Sequence, residues 1–185
     1  MMDVVQEQLK MMEKAYQERL TAIKANSDLT ILDMDSTYRA KSQPVTPYIV
    51  YTDFDRAQNE KSSSIFVYTA YENVDKYGHS KTDYQNELLF NYDVWSKTIH
   101  ITVLETLGAE SQLAFYDFQN HGLAQLALSH LIQVARQKQV KAIDGNVSSF
   151  DGDSLKKVMA LYQKFNFDFK VQNQQQGLAS FNLML

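Results

Sequence analysis

Gln119-Asn120-His121-Gly122-Leu123-Ala124 stands between two runs of different periodicity. Ser111 to Phe118 alternates as a strand does, and Leu123 to Gln139 repeats as a helix does. Leu123, Ala127, Leu131, Val134 and Ala135 mark the helix's apolar stripe. Arg136 and Lys138 lie in its last turn, where the helix dipole favours cations. A strand that turns through a glycine into a helix leaves several backbone N–H groups without intrahelical partners. Those groups and the positive end of the dipole together form an anion site.

The elements after the turn keep this alternation. Val140 to Val147 reads as a strand and Ser148 to Gly152 as a loop. Asp153 or Ser154 then caps a second helix, in which Leu155, Val158, Met159, Tyr162 and Phe165 share a face. Phe167 to Val171 and Leu178 to Leu185 read as two strands of a hairpin, joined across Gln172 to Gly177.

The part of the chain before the turn is built differently. Val4 to Ala25 reads as one helix, with Val5, Leu9, Met12, Tyr16, Leu20 and Ile23 recurring three or four residues apart. That spacing suits a helix packed on its own domain, and also a short dimer seam. Leu29 to Thr37 reads as a short strand running into a polar turn. From Tyr48 the period becomes two: Tyr48–Tyr51, Ser64–Tyr71, Glu87–Trp95 and Thr98–Thr106 are β-like runs separated by polar turns. They predict an antiparallel meander.

The last third therefore resembles the GNAT superfamily of acyl-CoA-dependent N-acetyltransferases. That family's order is strand, pyrophosphate turn, helix, strand, helix and closing hairpin. Its turn, Arg/Gln-x-x-Gly-x-Gly/Ala, is matched by Gln119 to Ala124. Its later signature, Leu-Tyr-x-Lys-x-Gly-Phe, is matched by Leu161-Tyr162-Gln163-Lys164-Phe165-Asn166-Phe167 except that Asn166 replaces glycine. Asparagine is the second choice at a left-handed helix end. The resemblance covers about residues 111–185. The front half departs from it, because family members often begin with a strand followed by two helices.

The resemblance implies an α+β fold in a single domain over residues 1–185. A mixed, mainly antiparallel sheet of about seven strands would be flanked by helices, with an extra N-terminal helix at residues 1–25. It implies acetyl-CoA as acyl donor, wedged between the strands at 111–118 and 140–147 within the half spanning 111–185. Phe115, Gln119, Asn120, His121, Gly122, Leu123 and Ala124 would contact it, with Gly122 letting the backbone approach a phosphate. Tyr162 would be the general acid that protonates the departing thiolate. Tyr162 also lies on a buried face and would serve there as core. A primary amine would attack the thioester directly in a ternary complex. The alternative is a module of the same fold that binds acyl-CoA without catalysis.

No residue stands out as the base. Glu105, Glu110 and Asp117 are candidates near strand ends. Asp83, Glu87 and Asp93, with the aromatics of the middle region, would suit a cationic amine or a solvated face. A more distant reading takes Asp33-Met34-Asp35-Ser36-Thr37 as the Asp-x-Asp-x-Thr motif of haloacid-dehalogenase-like phosphatases. That fold needs strand–helix alternation after the motif, where this chain has strands. His79, His100, His121 and His130 lack metal-ligand spacing, so no metal is expected.

Composition narrows the rest. With 44% apolar and 22% charged residues the chain is an ordinary globular one. A net charge of -4 with no basic block gives nucleic acid no footing. There is no cysteine, which removes disulfides and thiolate chemistry and fits a cytoplasmic setting. No apolar run approaches the roughly 20 residues of a membrane span.

Overall fold

The computed structural model describes residues 2–39, 44–55, 62–70, 77–79, 82–107, 122–148 and 152–185. The elements run α1 (Met2–Ala25), β1 (Thr30–Arg39), β2 (Thr46–Thr52), β3 (Ser62–Thr69), β4 (Asn86–Asp93), β5 (Thr98–Thr106), α2 (Leu123–Gln137), β6 (Ala142–Ser148), α3 (Gly152–Gln163), β7 (Asp168–Asn173) and β8 (Leu178–Met184). The eight strands form one sheet in the order β1-β2-β3-β4-β5-β6-β8-β7. It is the mixed, mainly antiparallel sheet flanked by helices that the sequence predicts, with eight strands among the described residues. The expected strand at 111–118 lies outside the described residues.

The chain divides into two compact units. The first holds Met1–Glu60, Ser64–Leu88 and Leu104–His130; the second holds Lys61–Ser63, Leu89–Val103 and Leu131–Leu185.

In the first unit α1 buries its stripe on its own sheet. Met12, Ala15, Tyr16, Leu20 and Ile23 pack with Ile49, Tyr51, Tyr68 and Ala70. Val4 and Val5 stay exposed, so a dimer seam along α1 would have only its first turn free. The helix ends where the Asn26 side chain accepts the Asp28 N–H at 3.0 Å, an Asx turn that diverts the backbone. Beyond it β1 is a ten-residue strand, longer than the short strand and polar turn expected. It pairs antiparallel with β2, and β2 with β3. Arg19 reaches from α1 to donate to the Tyr51 hydroxyl at 2.8 Å and to pair with Asp83 at 3.3 Å.

In the second unit β5 and β6 run parallel, in register from Thr98↔Ala142 to Ile101↔Gly145. The other described pairings are antiparallel. Parallel neighbours need a long crossover, and α2 lies in the segment joining these two. The helix expected to follow β6 is α3, and β7 with β8 form the predicted hairpin.

Both helices in this half stop in the same way. At α2 the Val140 N–H reaches the Ala135 carbonyl at 2.9 Å and the Gln139 N–H reaches that of Arg136 at 3.1 Å. At α3 the Phe167 N–H reaches the Tyr162 carbonyl at 3.4 Å and the Asn166 N–H reaches that of Gln163 at 3.1 Å. These are the paired bonds of a Schellman stop, with Gln139 and Asn166 left-handed at φ 56° and 64°. Asn166 thus performs the turn expected of it.

Four tyrosines of the first unit fix how the fold answers alkali. Burial, reinforced by Asp35 and Asp33, pushes the Tyr16 hydroxyl up to about 12. Burial and a hydrogen bond to Asp33 do the same for Tyr48. Burial outweighs Arg19 at Tyr51, also up to about 12, and raises Tyr68 further. The unfolded chain gives up these protons near 10.0, so between 10.0 and about 12 it binds fewer protons than the fold. Stability is therefore full below pH 10 and declines as pH rises through that window. Urea midpoints taken across it are expected to fall steadily, and a flat profile would contradict the burial of these rings.

Candidate functional site

Two places in the fold carry the features that the sequence singles out. The first is the start of α2, in the first unit. Gly122 is left-handed, with φ 84°, and its carbonyl accepts the Leu126 N–H at 3.0 Å as the first bond of the helix. Its left-handed φ favours glycine, and a Cβ there would also lie a tight 3.3 Å from Cα of Pro44. The side chain of Leu123 is buried in the core, which leaves only its backbone N–H for a ligand. Ala124 is half-buried. No acidic residue stands in the first turn, so nothing there neutralises the dipole's positive end. Phe115, Gln119, Asn120 and His121 lie outside the described residues.

The second place is in the second unit, where β5 and β6 part. Their pairing stops at Ile101↔Gly145, yet β5 runs on to Thr106 and β6 to Ser148. The described strand beside β6 is β5. The expected strand at 111–118, and with it the expected wedge, lies outside the described residues. At the point of parting a Cβ on Gly145 would overlap the ring of Phe181 and lie 2.9 Å from the Ile101 carbonyl oxygen. Glycine within a strand marks such a close approach. The sequence alone does not single out Gly145, because an isolated glycine in a β-like run gives no sign of what faces it.

Tyr162 belongs to this same unit. Its ring stacks on Phe181 at 4.3 Å between centroids, with Phe167 edge-on at 5.2 Å and Phe169 at 6.0 Å. Tyr162 and Phe167 are also the two residues that close the α3 stop, where an apolar contact between them is the usual companion. Part of the Leu-Tyr-x-Lys-x-Asn-Phe pattern is thus a helix ending. Burial alone raises the Tyr162 hydroxyl above its ordinary value, so it stays protonated at neutral pH. The same shift makes it a weaker acid than a solvated tyrosine.

The carboxylates weighed for base or amine recognition have structural partners. Glu87 accepts from the Ser64 hydroxyl at 2.8 Å, and Asp83 holds Arg19. Asp93 accepts from the Trp95 N–H and the Ser96 hydroxyl, which hold it below the usual carboxylate range, Ser96 foremost. Glu105 is exposed, and its carbonyl accepts from the Asn86 amide at 2.9 Å. Glu110 and Asp117 lie outside the described residues.

Asp33 is not a nucleophile on a parallel sheet, as the phosphatase reading requires. It sits on β1, antiparallel to β2. Its Oδ2 accepts from the Tyr48 hydroxyl at 3.0 Å and lies 3.2 Å from His130 Nε2. Asp35 turns back to accept the Thr37 N–H at 2.7 Å. His100 Nδ1 lies 2.5 Å from Asp144 Oδ1, a pair set by the parallel register and invisible without it. Among the described residues no three His, Cys, Asp or Glu side chains gather as a metal would need. No described helix is long and apolar enough to cross a membrane.

No family model matches the chain, and no curated protein does. Solved structures do. An acetyltransferase from Bacillus subtilis in complex with CoA matches with a TM-score of 0.46 at 13% identity, over 68% of this chain and 78% of that one. The ribosomal-protein-S18-alanine N-acetyltransferase of Escherichia coli matches with 0.45 at 13%, over 69% and 71%. An IAA acetyltransferase from Bacillus cereus matches with 0.46 at 11%, over 68% and 79%.

The parting of the strands yields a direct expectation. Gly145→Ala places its methyl against Phe181 and the Ile101 carbonyl, and overpacking of this kind costs about 1–3 kcal/mol. Thermal unfolding by circular dichroism is expected to show a lowered midpoint, partly restored by Phe181→Leu in the double variant.

Proposed function

We propose that this chain is a GNAT-type N-acetyltransferase that passes an acetyl group from acetyl-CoA to a primary amine by direct attack. The observation that carries the reading is the end of the β5/β6 pairing at Ile101↔Gly145 while both strands continue. Backbone groups on the facing edges of parting strands must find other partners. The amide-bearing arm of CoA supplies donors and acceptors of the right kind, as an added strand would. At the α2 start, in the first unit, Gly122, Leu123 and Ala124 would offer N–H groups to a pyrophosphate, with Gln119, Asn120 and His121 before them in the sequence. Phe115 would line the acyl-carrier arm.

The thioester supplies the activated acetyl group. In this reading backbone N–H groups hold and polarise its carbonyl, and positioning supplies most of the rate. The neutral amine attacks that carbonyl, the C–S bond breaks, the Tyr162 hydroxyl protonates the departing sulfur, and the proton lost by the acylated nitrogen returns through water to the Tyr162 oxygen. A cytoplasmic setting, where acetyl-CoA is at hand, fits a chain without cysteine. A second reading, an acyl-CoA-binding module without turnover, draws support from one observation: the Tyr162 ring is fully engaged in packing.

Ala124→Glu is the discriminating variant at the α2 start. A carboxylate in the first turn favours the helix and repels a pyrophosphate. Calorimetric titration is expected to show acetyl-CoA affinity reduced about tenfold or more, with thermal stability kept or raised. Equal affinity would remove the phosphate from this turn. Gly122→Glu is expected to abolish binding, though its φ and Pro44 make it a harsher change.

Tyr162→Phe keeps the ring packing and removes only the hydroxyl. Acetyl-CoA binding is expected to persist while acetyl transfer to a panel of primary amines falls about a hundredfold, the low end for a lost general acid. Unchanged turnover would leave Tyr162 as core alone. Binding with no turnover on any amine in the unsubstituted chain would favour the module.

A further inference from the structure

A cleft of about 770 Å3 opens in the second unit where β4 turns into β5. Asn91, Asp93, Trp95, Ser96, His100 and Asp144 line it; among the described residues no lysine or arginine does, although Lys97 stands between the lining Ser96 and Thr98. None of these residues is among the acetyl-CoA contacts or the general acid proposed above.

Three observations converge on this cleft. The first is the indole of Trp95, 96% exposed. A ring left in water contributes nothing to the core, although burial is where a tryptophan's large apolar area stabilises a fold. The second is a pair of carboxylates fixed in place. Asp93 is tied to the Trp95 N–H at 2.9 Å and the Ser96 hydroxyl at 2.7 Å. Asp144 is tied to His100 Nδ1 at 2.5 Å, and each side chain of that pair remains about two-fifths exposed, at 42% and 44%. The third is the balance of charge. A protonated His100 only offsets Asp144, and Asp93 still leaves the cleft net negative. With a neutral His100 both carboxylates count.

An exposed indole and fixed carboxylates lining one cleft, with no lysine or arginine among its described lining residues, are the chemistry that recognises an organic cation. We propose that the β4–β5 cleft is a binding site for an organic ammonium ligand, seated on the Trp95 ring and against Asp144 and Asp93. The ring contributes attraction to the cation's apolar substituents and its quadrupole to the charge, and the carboxylates set the preference for a cation over a neutral molecule. Asn91 lies in the wall as a further hydrogen-bonding group.

Trp95 is the chain's one tryptophan, so its emission reports this cleft alone. The full chain is titrated with tetramethylammonium, which has no N–H and cannot accept an acetyl group. Binding therefore answers for this site whether or not the chain transfers acetyl groups. A saturable change in emission is expected, absent with the neutral isostere tert-butanol and with glucose, and weakened by added salt. Asp144→Asn is expected to weaken binding about tenfold. His100→Gln, which leaves the carboxylate in place, is expected to retain binding. Trp95→Ala, followed by calorimetry, is expected to lose it. An unsaturable response, an equal response to tert-butanol, a response to glucose instead, or undiminished binding in Asp144→Asn with native circular dichroism would each overturn the proposal.

Discussion

The close approach at Gly145 is the constraint on which the second unit depends. The Phe181 ring occupies the space that a side chain at 145 would need, and the Ile101 carbonyl presses from the neighbouring strand. Tyr162 then stacks on Phe181, which seats α3 on β8. Phe167 and Phe169 complete the cluster. One missing Cβ thus lets an aromatic ring lie flat on the sheet where β6 and β5 separate. The same contact ties the sheet's parallel pairing to the packing of the helix that carries Tyr162. The ring of that tyrosine is therefore part of what holds the helix in place.

The first unit is organised by buried polar contacts as much as by its apolar core. Asn86 is fully buried and donates to the Glu105 carbonyl and the Thr106 hydroxyl. Gln85, equally buried, accepts from the Thr69 N–H and, through its backbone carbonyl, from the Leu107 N–H. Together they pin the end of β5 to β3 and to the start of β4. A strand end held by buried amides has little freedom to shift, because each broken bond leaves a polar group in the dry interior at about 1–3 kcal/mol. The Asn86 Oδ1 is itself buried without a partner. That residual cost is borne at the end of the strand from which the α2 segment departs.

Much of this architecture is legible in the residues, and the limits of that legibility have physical causes. The stripe from Met12 to Ile23 predicts a helix and names its buried face, because a period near 3.6 has one meaning. Thr98 to Thr106 announces a strand, because alternation also has one meaning. Alternation does not say which strand lies alongside, so the parallel pairing of β5 with β6 emerges only from the structure. Pairing between residues some forty positions apart leaves no local trace. For the same reason His100 and Asp144 look unrelated until the register sets them side by side. Leu29 to Thr37 is legible in part. Pairing with β2 holds it extended, while Asp35 accepts the Thr37 N–H and the register shifts between Asp35 and Arg39, as its turn-favouring residues imply. Gly122 declares its freedom of approach in the sequence, while the structure adds a second reason in Pro44.

Lys97, Gln139 and Asn166 all adopt left-handed backbone, at φ 55°, 56° and 64°. Each closely precedes a strand of the second unit: β5, β6 and β7 in turn. A side chain there costs about 1–2 kcal/mol relative to a relaxed conformation, least for asparagine. The residues that launch these strands therefore hold the unit below the stability its packing could give. Thermostability is accordingly open to improvement by changing solvent-facing turns alone, leaving the core and the candidate binding residues untouched.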